Sequence, residues 1–177
     1  MQTSRYHPLS AALHWLMFIL IAVALAAIQV REDIPKGEPL RDTLKSVHML
    51  AGQLVFLFVL VRLALRLTFK APAALPGPRW QTGSAHLVHL VLYLMMLGLP
   101  LSGVLFYQAG GRDVSFFGML LPQLIAPNPE LKSSIKELHE TVGEAIYFVV
   151  GFHVLAALWH HFIVKDGTML RMLPWKK

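Results

Sequence analysis

Residues 138–164 read LHETVGEAIYFVVGFHVLAALWHHFIV. From Ala145 to Val164 there is no Asp, Glu, Lys or Arg, and a spanning helix needs roughly 20 mostly apolar residues. Leu138 onward continues the same helix. Two histidines sit in it, His139 and His153, 14 residues apart. At 3.6 residues per turn that spacing leaves the side chains about 40° apart on one face, separated by a rise of about 21 Å. One stripe of one helix therefore offers two imidazoles, one near each surface of a membrane. Each needs a partner at its own depth.

Working outward, three further stretches qualify as spans. Tyr6 to Val30 is charge-free, Ser46 to Val61 continues past Arg62 through Leu65, and Trp80 to Gly111 is charge-free with Pro100 inside it. The predicted fold is an all-α membrane protein, a four-transmembrane-helix bundle with spans at about 8–30, 46–67, 82–109 and 138–164, in a single domain covering 1–177. Val114 to Pro129 is also charge-free, but Pro122, Pro127, Pro129 and Gly118 break it. It reads as a loop or an interfacial segment. Composition agrees with a membrane protein: of 177 residues, 55% are hydrophobic and 15% charged, where soluble domains carry about a quarter charged. The same balance excludes disorder.

The net charge of +6 would suggest nucleic acid in a soluble protein. Here the charges sort by side. Arg5, Arg62, Arg66, Lys70, Arg79, Lys165, Arg171, Lys176 and Lys177 share one side with Asp166 alone, and the other side holds seven basic and nine acidic residues. Basic residues collect on the cytoplasmic side, so both termini are expected there and no nucleic-acid partner is expected. A cleaved signal peptide at Ala24-Leu25-Ala26 is the competing reading of the first span. Its apolar run is long for that, and it contains a histidine.

Ionisable residues within a span are costly and default to functional hypotheses. With antiparallel spans, His14 near the start of the first helix matches His153 in depth, and His48 near the start of the second matches His139. Two stacked bis-imidazole sites result, in a bundle of the kind that holds cofactors. Two imidazoles fill both axial positions of a haem iron, which suits electron transfer. The chain has no cysteine, so covalent haem attachment and thiolate clusters are excluded and the haem would be b-type. Zinc wants four close ligands; each level offers two facing histidines.

Gly52 and Gly143 each follow a proposed ligand by four residues, where a missing side chain would admit a flat macrocycle; close helix packing is the bland alternative. Arg62 and Arg66 lie on the His48 face at the inner depth, as propionate partners or as the positive-inside flank. His86, His89 and His160 cluster at the inner depth and are read as contacts for propionates, protons or a quinone. His7 and His161 read as interfacial hydrogen-bonding residues.

These residues resemble the bacterial di-haem cytochrome b-561 family. The resemblance runs over nearly the whole chain: His14-Trp15, Val61-Arg62-Leu63 with Arg66, His86-Leu87-Val88-His89-Leu90 with Tyr93, Leu99-Pro100 with Gly103, Phe116-Phe117-Gly118, Leu138-His139-Glu140-Thr141, and the run from His153 through His160-His161-Phe162, Lys165-Asp166, Thr168 and Leu170 to Pro174. Gly167 stands where Asn or Asp is expected. The resemblance implies two b haems on His14, His48, His139 and His153, in an inner-membrane carrier that reduces quinone. In one branch the reductant is superoxide at the outer surface, which makes the activity a superoxide oxidase. Superoxide is an anion, so its point of arrival needs local positive charge; Lys45, Arg112, Lys132 and Lys136 are the candidates. A homodimer is an open partner. Two other classes compete: a cytochrome b anchor subunit of a larger hydrogenase- or dehydrogenase-type complex, and a haem-free bundle using its histidines for protons or zinc.

Overall fold

The computed structural model describes residues 5–174, so Lys176 and Lys177 of the charge pattern lie outside the described residues. Four long helices dominate: α1 Pro8–Asp33, α2 Pro39–Thr68, α3 Arg79–Ala109 and α4 Pro129–Trp159. All four are long and apolar enough to cross a membrane. Three begin on a proline, whose fixed φ and missing N–H suit the first helical position. His7 caps α1 by accepting from the Leu9 N–H at 3.4 Å, and Asn128 caps α4 by accepting from Leu131 at 3.0 Å. Pro100 lies within α3 without ending it; neighbouring helices make such prolines tolerable in a span.

The helices overrun the apolar windows read from the sequence. α2 starts at Pro39 and α4 at Pro129. Their first turns carry Arg41, Asp42, Glu130 and Lys132, which hydropathy excludes from a span; Arg, Glu and Lys propagate a helix well, and Asp42 and Glu130 suit its N-terminal dipole. The Arg41 guanidinium donates to the carbonyls of Arg31 and Ile34, so it also closes the end of α1 against the start of α2.

α1 packs on α2 and α3 on α4, with a lesser contact between α2 and α3. The small buried core joins Leu13 and Met17 of α1 to Val55 and Val59 of α2. Most remaining apolar side chains face outward, as with Phe148 at 80% and Leu67 at 90% exposure. In water that would be untenable; against lipid it is the expected surface.

After α3 the chain forms a short antiparallel hairpin, β1 Ser115–Phe116 with β2 Met119–Leu120. Its two-residue loop has φ of +49° at Phe117 and +81° at Gly118, the sign pattern of a type I′ turn. Glycine takes this conformation freely, whereas a phenylalanine there costs about 1 kcal/mol or more. Beyond α4, a π-helical turn spans His160–Val164 and ends on Lys165 at φ +56°. A 3-10 turn at Met169–Met172 follows. Met172 offers its carbonyl to the Trp15 indole N–H at 2.8 Å, and Arg171 donates to the Ala73 carbonyl at 2.7 Å. These bonds tie the chain's last turn to α1 and to the α2–α3 connection, closing that end of the bundle. The opposite end carries the hairpin.

Candidate functional site

Four histidines meet in two pairs, one toward each end. Near the hairpin end, His48 of α2 faces His139 of α4 with ring centroids 6.2 Å apart and planes at 81°. Toward the α2–α3 end, His14 of α1 faces His153 of α4 at 6.1 Å and 73°. α4 runs unbroken through both His139 and His153, so the two levels are about 21 Å apart along it.

The 6 Å spacing has a chemical reading. Two imidazoles that would share one metal ion, each nitrogen about 2.0 Å from it, must face one another at about this separation. Edge-to-face aromatic packing spans the same range, as Trp15 and Phe18 show at 6.0 Å, so it is the repetition at two depths on one helix that points to ligands. Among the described residues no group of three or more His, Cys, Asp or Glu is placed to hold a metal ion. Each level thus presents two imidazoles, the number a haem iron takes axially.

At the hairpin-end level the tautomers follow from the hydrogen bonds. His48 Nδ1 lies 2.9 Å from the Ala24 carbonyl of α1, and His139 Nδ1 lies 3.0 Å from the Leu99 carbonyl of α3. A carbonyl only accepts, so each Nδ1 carries the proton and each Nε2 keeps a free lone pair. That is the arrangement that orients an imidazole for a metal. Ser102 Oγ lies 3.0 Å from His139 Nδ1 and donates to the same Leu99 carbonyl at 2.8 Å. All four helices contribute: two supply rings and two supply carbonyls.

A cavity of about 650 Å³ opens at this level, lined by His48, Gly52, Val55, Gly103, His139 and Gly143 among others. Cofactor sites span about 300–1,000 Å³. A Cβ built on Gly52 or Gly143 meets nothing within 4 Å, so neither glycine is needed to bring helices together in this structure. Both instead leave open space beside the ring that precedes them. The residues fit a flat macrocycle between two imidazoles.

Lys45, Arg112, Lys132 and Lys136 all line the same cavity. Sequence reading had them on one side of the membrane; folding brings them to one opening. Lys45 and Arg112 both approach the Tyr107 ring, at 4.9 and 5.5 Å. Lys136 is partly neutralised by Glu140 at 2.6 Å.

The other end is built differently. The His153 ring is met edge-on by His89 of α3 at 5.4 Å, and His14 by its neighbour Trp15 at 5.6 Å. Arg62 donates to the Ser10 carbonyl at 2.9 Å and to the Tyr93 hydroxyl at 3.2 Å. Arg62 and Arg66 line a small hollow with Lys70, His7 and Tyr6. His160 Nδ1 pairs with Asp166 Oδ2 at 2.6 Å, and Asp166 Oδ1 accepts from the Thr168 N–H at 2.9 Å. Burial works against the charged Asp166, but the hydrogen bonds from Thr168 and His160 outweigh it and hold the carboxyl below its ordinary value. Of the three extra histidines, then, only His89 reaches a paired ring; His160 is engaged by Asp166, and His86 is exposed on α3. His7 stacks on Phe69 at 3.7 Å, and His161 packs edge-on against Phe162.

Residues 5–175 match the prokaryotic cytochrome b561 family. The chain belongs to that family. It is 35% identical over 175 residues to cytochrome b561 homolog 1 of Escherichia coli K12, covering 98% of this chain and 99% of that protein. It is 32% identical to the probable superoxide oxidase CybB of Yersinia pestis, with 98% of each chain covered. Cytochrome b561 homolog 2 of E. coli K12 is 29% identical over 96% of this chain and 91% of that protein. Membership makes this a multi-pass membrane cytochrome, with haem b as the family's cofactor.

Sequence reasoning did not find Ser102, Tyr107 or the Ala24 and Leu99 carbonyls as parts of the site. A carbonyl has no signature in sequence, and a serine within a span reads as ordinary helix packing. Gly103 appeared only within a family motif. In the structure Gly103 lies against the His139 ring, its virtual Cβ 3.4 Å from Cε1.

Proposed function

We propose that this cytochrome b561 carries two non-covalent b haems in the bacterial inner membrane, which His48 with His139 and His14 with His153 would hold, and passes electrons to quinone. The observation that carries the reading is the double occurrence of facing imidazoles at 6.1 and 6.2 Å on one continuous helix. Haems bound there would supply one-electron carriage between the two ends of the bundle. The protein's own part is to fix ring orientation through the Ala24 and Leu99 carbonyls, to leave room through Gly52 and Gly143, and to exclude water with apolar helix faces.

The proposed donor is superoxide, approaching the hairpin end from the periplasm. Two superoxide anions yield two dioxygen molecules and two electrons, which with two protons take one quinone to quinol. Lys45, Arg112, Lys132 and Lys136 around the cavity, with Arg31, outnumber Glu32, Glu140 and Glu144 in its lining and support attraction of an anion there. So does the name of the Y. pestis relative. At the other end, Arg62, His89 and the His160–Asp166 pair supply polar groups for a quinone head group. The excess of basic residues at that end supports a cytoplasmic orientation.

The test is a reduced-minus-oxidised spectrum of purified protein with haem counted per chain, followed by reduction with superoxide at rising ionic strength. Two low-spin b haems per chain and a rate that falls with salt are expected. One haem, or none after reconstitution, overturns the pairing. A salt-independent rate overturns the attraction at the hairpin end.

A further inference from the structure

The segment from Val114 to Pro129 contains no charged residue, and the function proposed above makes no use of it. Its β1–β2 hairpin is firmly built. Gln108, 1% exposed at the end of α3, donates to the Pro122 carbonyl at 2.9 Å and accepts from the Leu124 N–H at 2.9 Å. Leu121 N–H donates to the Val114 carbonyl at 2.8 Å, and the Gln53 side chain donates to the Ser115 carbonyl at 3.1 Å. Val114 is 2% exposed. The base of the hairpin is therefore fixed to α2 and α3, and it walls one side of the cavity, which Val114 and Gln53 both line.

The tip is the reverse. Phe117, Met119 and Leu120 are 68%, 67% and 71% exposed. Two independent features say what covers them. The first is depth. The Gln53 bond sets the hairpin beside α2 eight residues beyond Lys45, about 12 Å further along the helix toward the midplane. The base of the hairpin thus lies beside the part of α2 that follows Lys45, within its apolar stretch. Backbone outside a helix is tolerated at such depth only where its polar groups are satisfied. The Gln108, Gln53 and Val114 bonds and the β1–β2 pairing satisfy the base of the hairpin, and Pro122 and Pro127 have no N–H to satisfy. The second is the turn residue. A type I′ turn in water favours Asn or Asp beside glycine, yet the strained left-handed position holds Phe117. The hairpin pairing sets that conformation; what bears on the surroundings is that the exposed side chain there is a phenylalanine and not the polar residue a turn in water favours.

We infer that the Phe117–Leu120 tip is a membrane-inserted anchor, seated among lipid acyl chains at the hairpin end while its base walls the cavity. It requires a bilayer and is independent of whether haem is bound. Because the chain lacks cysteine, a single introduced thiol reports one position. Phe117→Cys and Met119→Cys, each spin-labelled in lipid nanodiscs, are compared with Phe148→Cys on the outward face of α4 and Ser134→Cys in its charged first turns. Collision with oxygen and with a water-soluble nickel chelate is measured at each site. The expected ratio at 117 and 119 lies near that of 148, several-fold above that of 134. A ratio nearer to that of 134 overturns the inference. Phe117→Asn gives a second reading through its sign. In water it would relieve the turn and raise the melting temperature; with the tip in lipid it lowers the melting temperature in nanodiscs. A raised value overturns the inference.

Discussion

The two histidine levels share a spacing and differ in what holds it. At the hairpin end, each ring is pinned from behind by a backbone carbonyl, so tautomer and direction are set before anything binds. At the α2–α3 end, His14 and His153 are held by packing against Trp15 and His89, and Arg62 completes that end through Ser10 and Tyr93. A carbonyl fixes a ring through a directional bond; a neighbouring ring fixes it through shape alone. The hairpin-end level is therefore the pre-organised one, and it draws on all four helices. The other level draws on all four too, with rings from α1 and α4, a third imidazole from α3 and Arg62 from α2, but among the described residues no hydrogen bond to a carbonyl holds its rings from behind. The equal spacing of both pairs, despite unequal surroundings, is the reason to read the spacing itself as functional.

The sharpest way to break this comparison is to remove one ring at a time. His139→Ala and His153→Ala are each expected to abolish one low-spin haem signal per chain and leave the other, as read by reduced-minus-oxidised amplitude and low-spin EPR. Loss of both signals from either variant would mean that the levels are not independent. The α2–α3 end then poses a finer choice, because His153 has two neighbouring rings. The His14 ring lies at 6.1 Å and the His89 ring at 5.4 Å, and the proposed pairing takes His14, whose separation repeats the 6.2 Å of His48 and His139. His14→Ala should therefore lose that level's low-spin signal, and His89→Ala should keep it. The opposite outcome would reassign the pair.

Most of this arrangement was legible in the sequence because helical arithmetic is strict. Fourteen residues between His139 and His153 fix both face and rise, and the antiparallel order of spans fixes which partners share a depth. The Gly52 and Gly143 positions followed from the same arithmetic. The carbonyls of Ala24 and Leu99 did not, since every residue has one and only the relative rotation of neighbouring helices selects which is used. The inner cluster was legible only as a shared depth. His86, His89 and His160 share a depth, but rotation about the helix axes turns only His89 toward His153, while Asp166 engages His160. The hairpin was legible as a broken, charge-free stretch, but the turn that places Phe117 in a left-handed conformation was not.

Between the two levels, the hairpin-end one has a polar neighbour that can be removed without touching a ligand. Ser102 Oγ lies beside His139 Nδ1 and shares its carbonyl. A hydrogen bond of this kind contributes about 1 kcal/mol, and only the part that differs between oxidation states moves a potential. Ser102→Ala is expected to retain both haems and to shift one midpoint potential by at most a few tens of mV, with the other unmoved. A shift in both potentials would mean that the serine acts on the bundle as a whole.

The smallest expected effect lies at the opposite end, outside the spans, where Asp166 joins the π turn to the 3-10 turn through His160 and Thr168. Its carboxyl is held below the ordinary aspartate value by hydrogen bonds from Thr168 and His160 that outweigh the cost of burial. A carboxylate whose native pKa is depressed stabilises the fold fully above its unfolded pKa, and that contribution is lost as pH falls through the native value. Asp166→Asn should therefore lower the melting temperature slightly near neutral pH, and the gap from the parent should close as the solution is taken below the ordinary aspartate range, near 3.9. A gap that stays constant with pH would assign the effect of Asp166 to the geometry of the turn, which asparagine also alters. The haem signals of both levels should be unchanged throughout, because Asp166 touches neither pair.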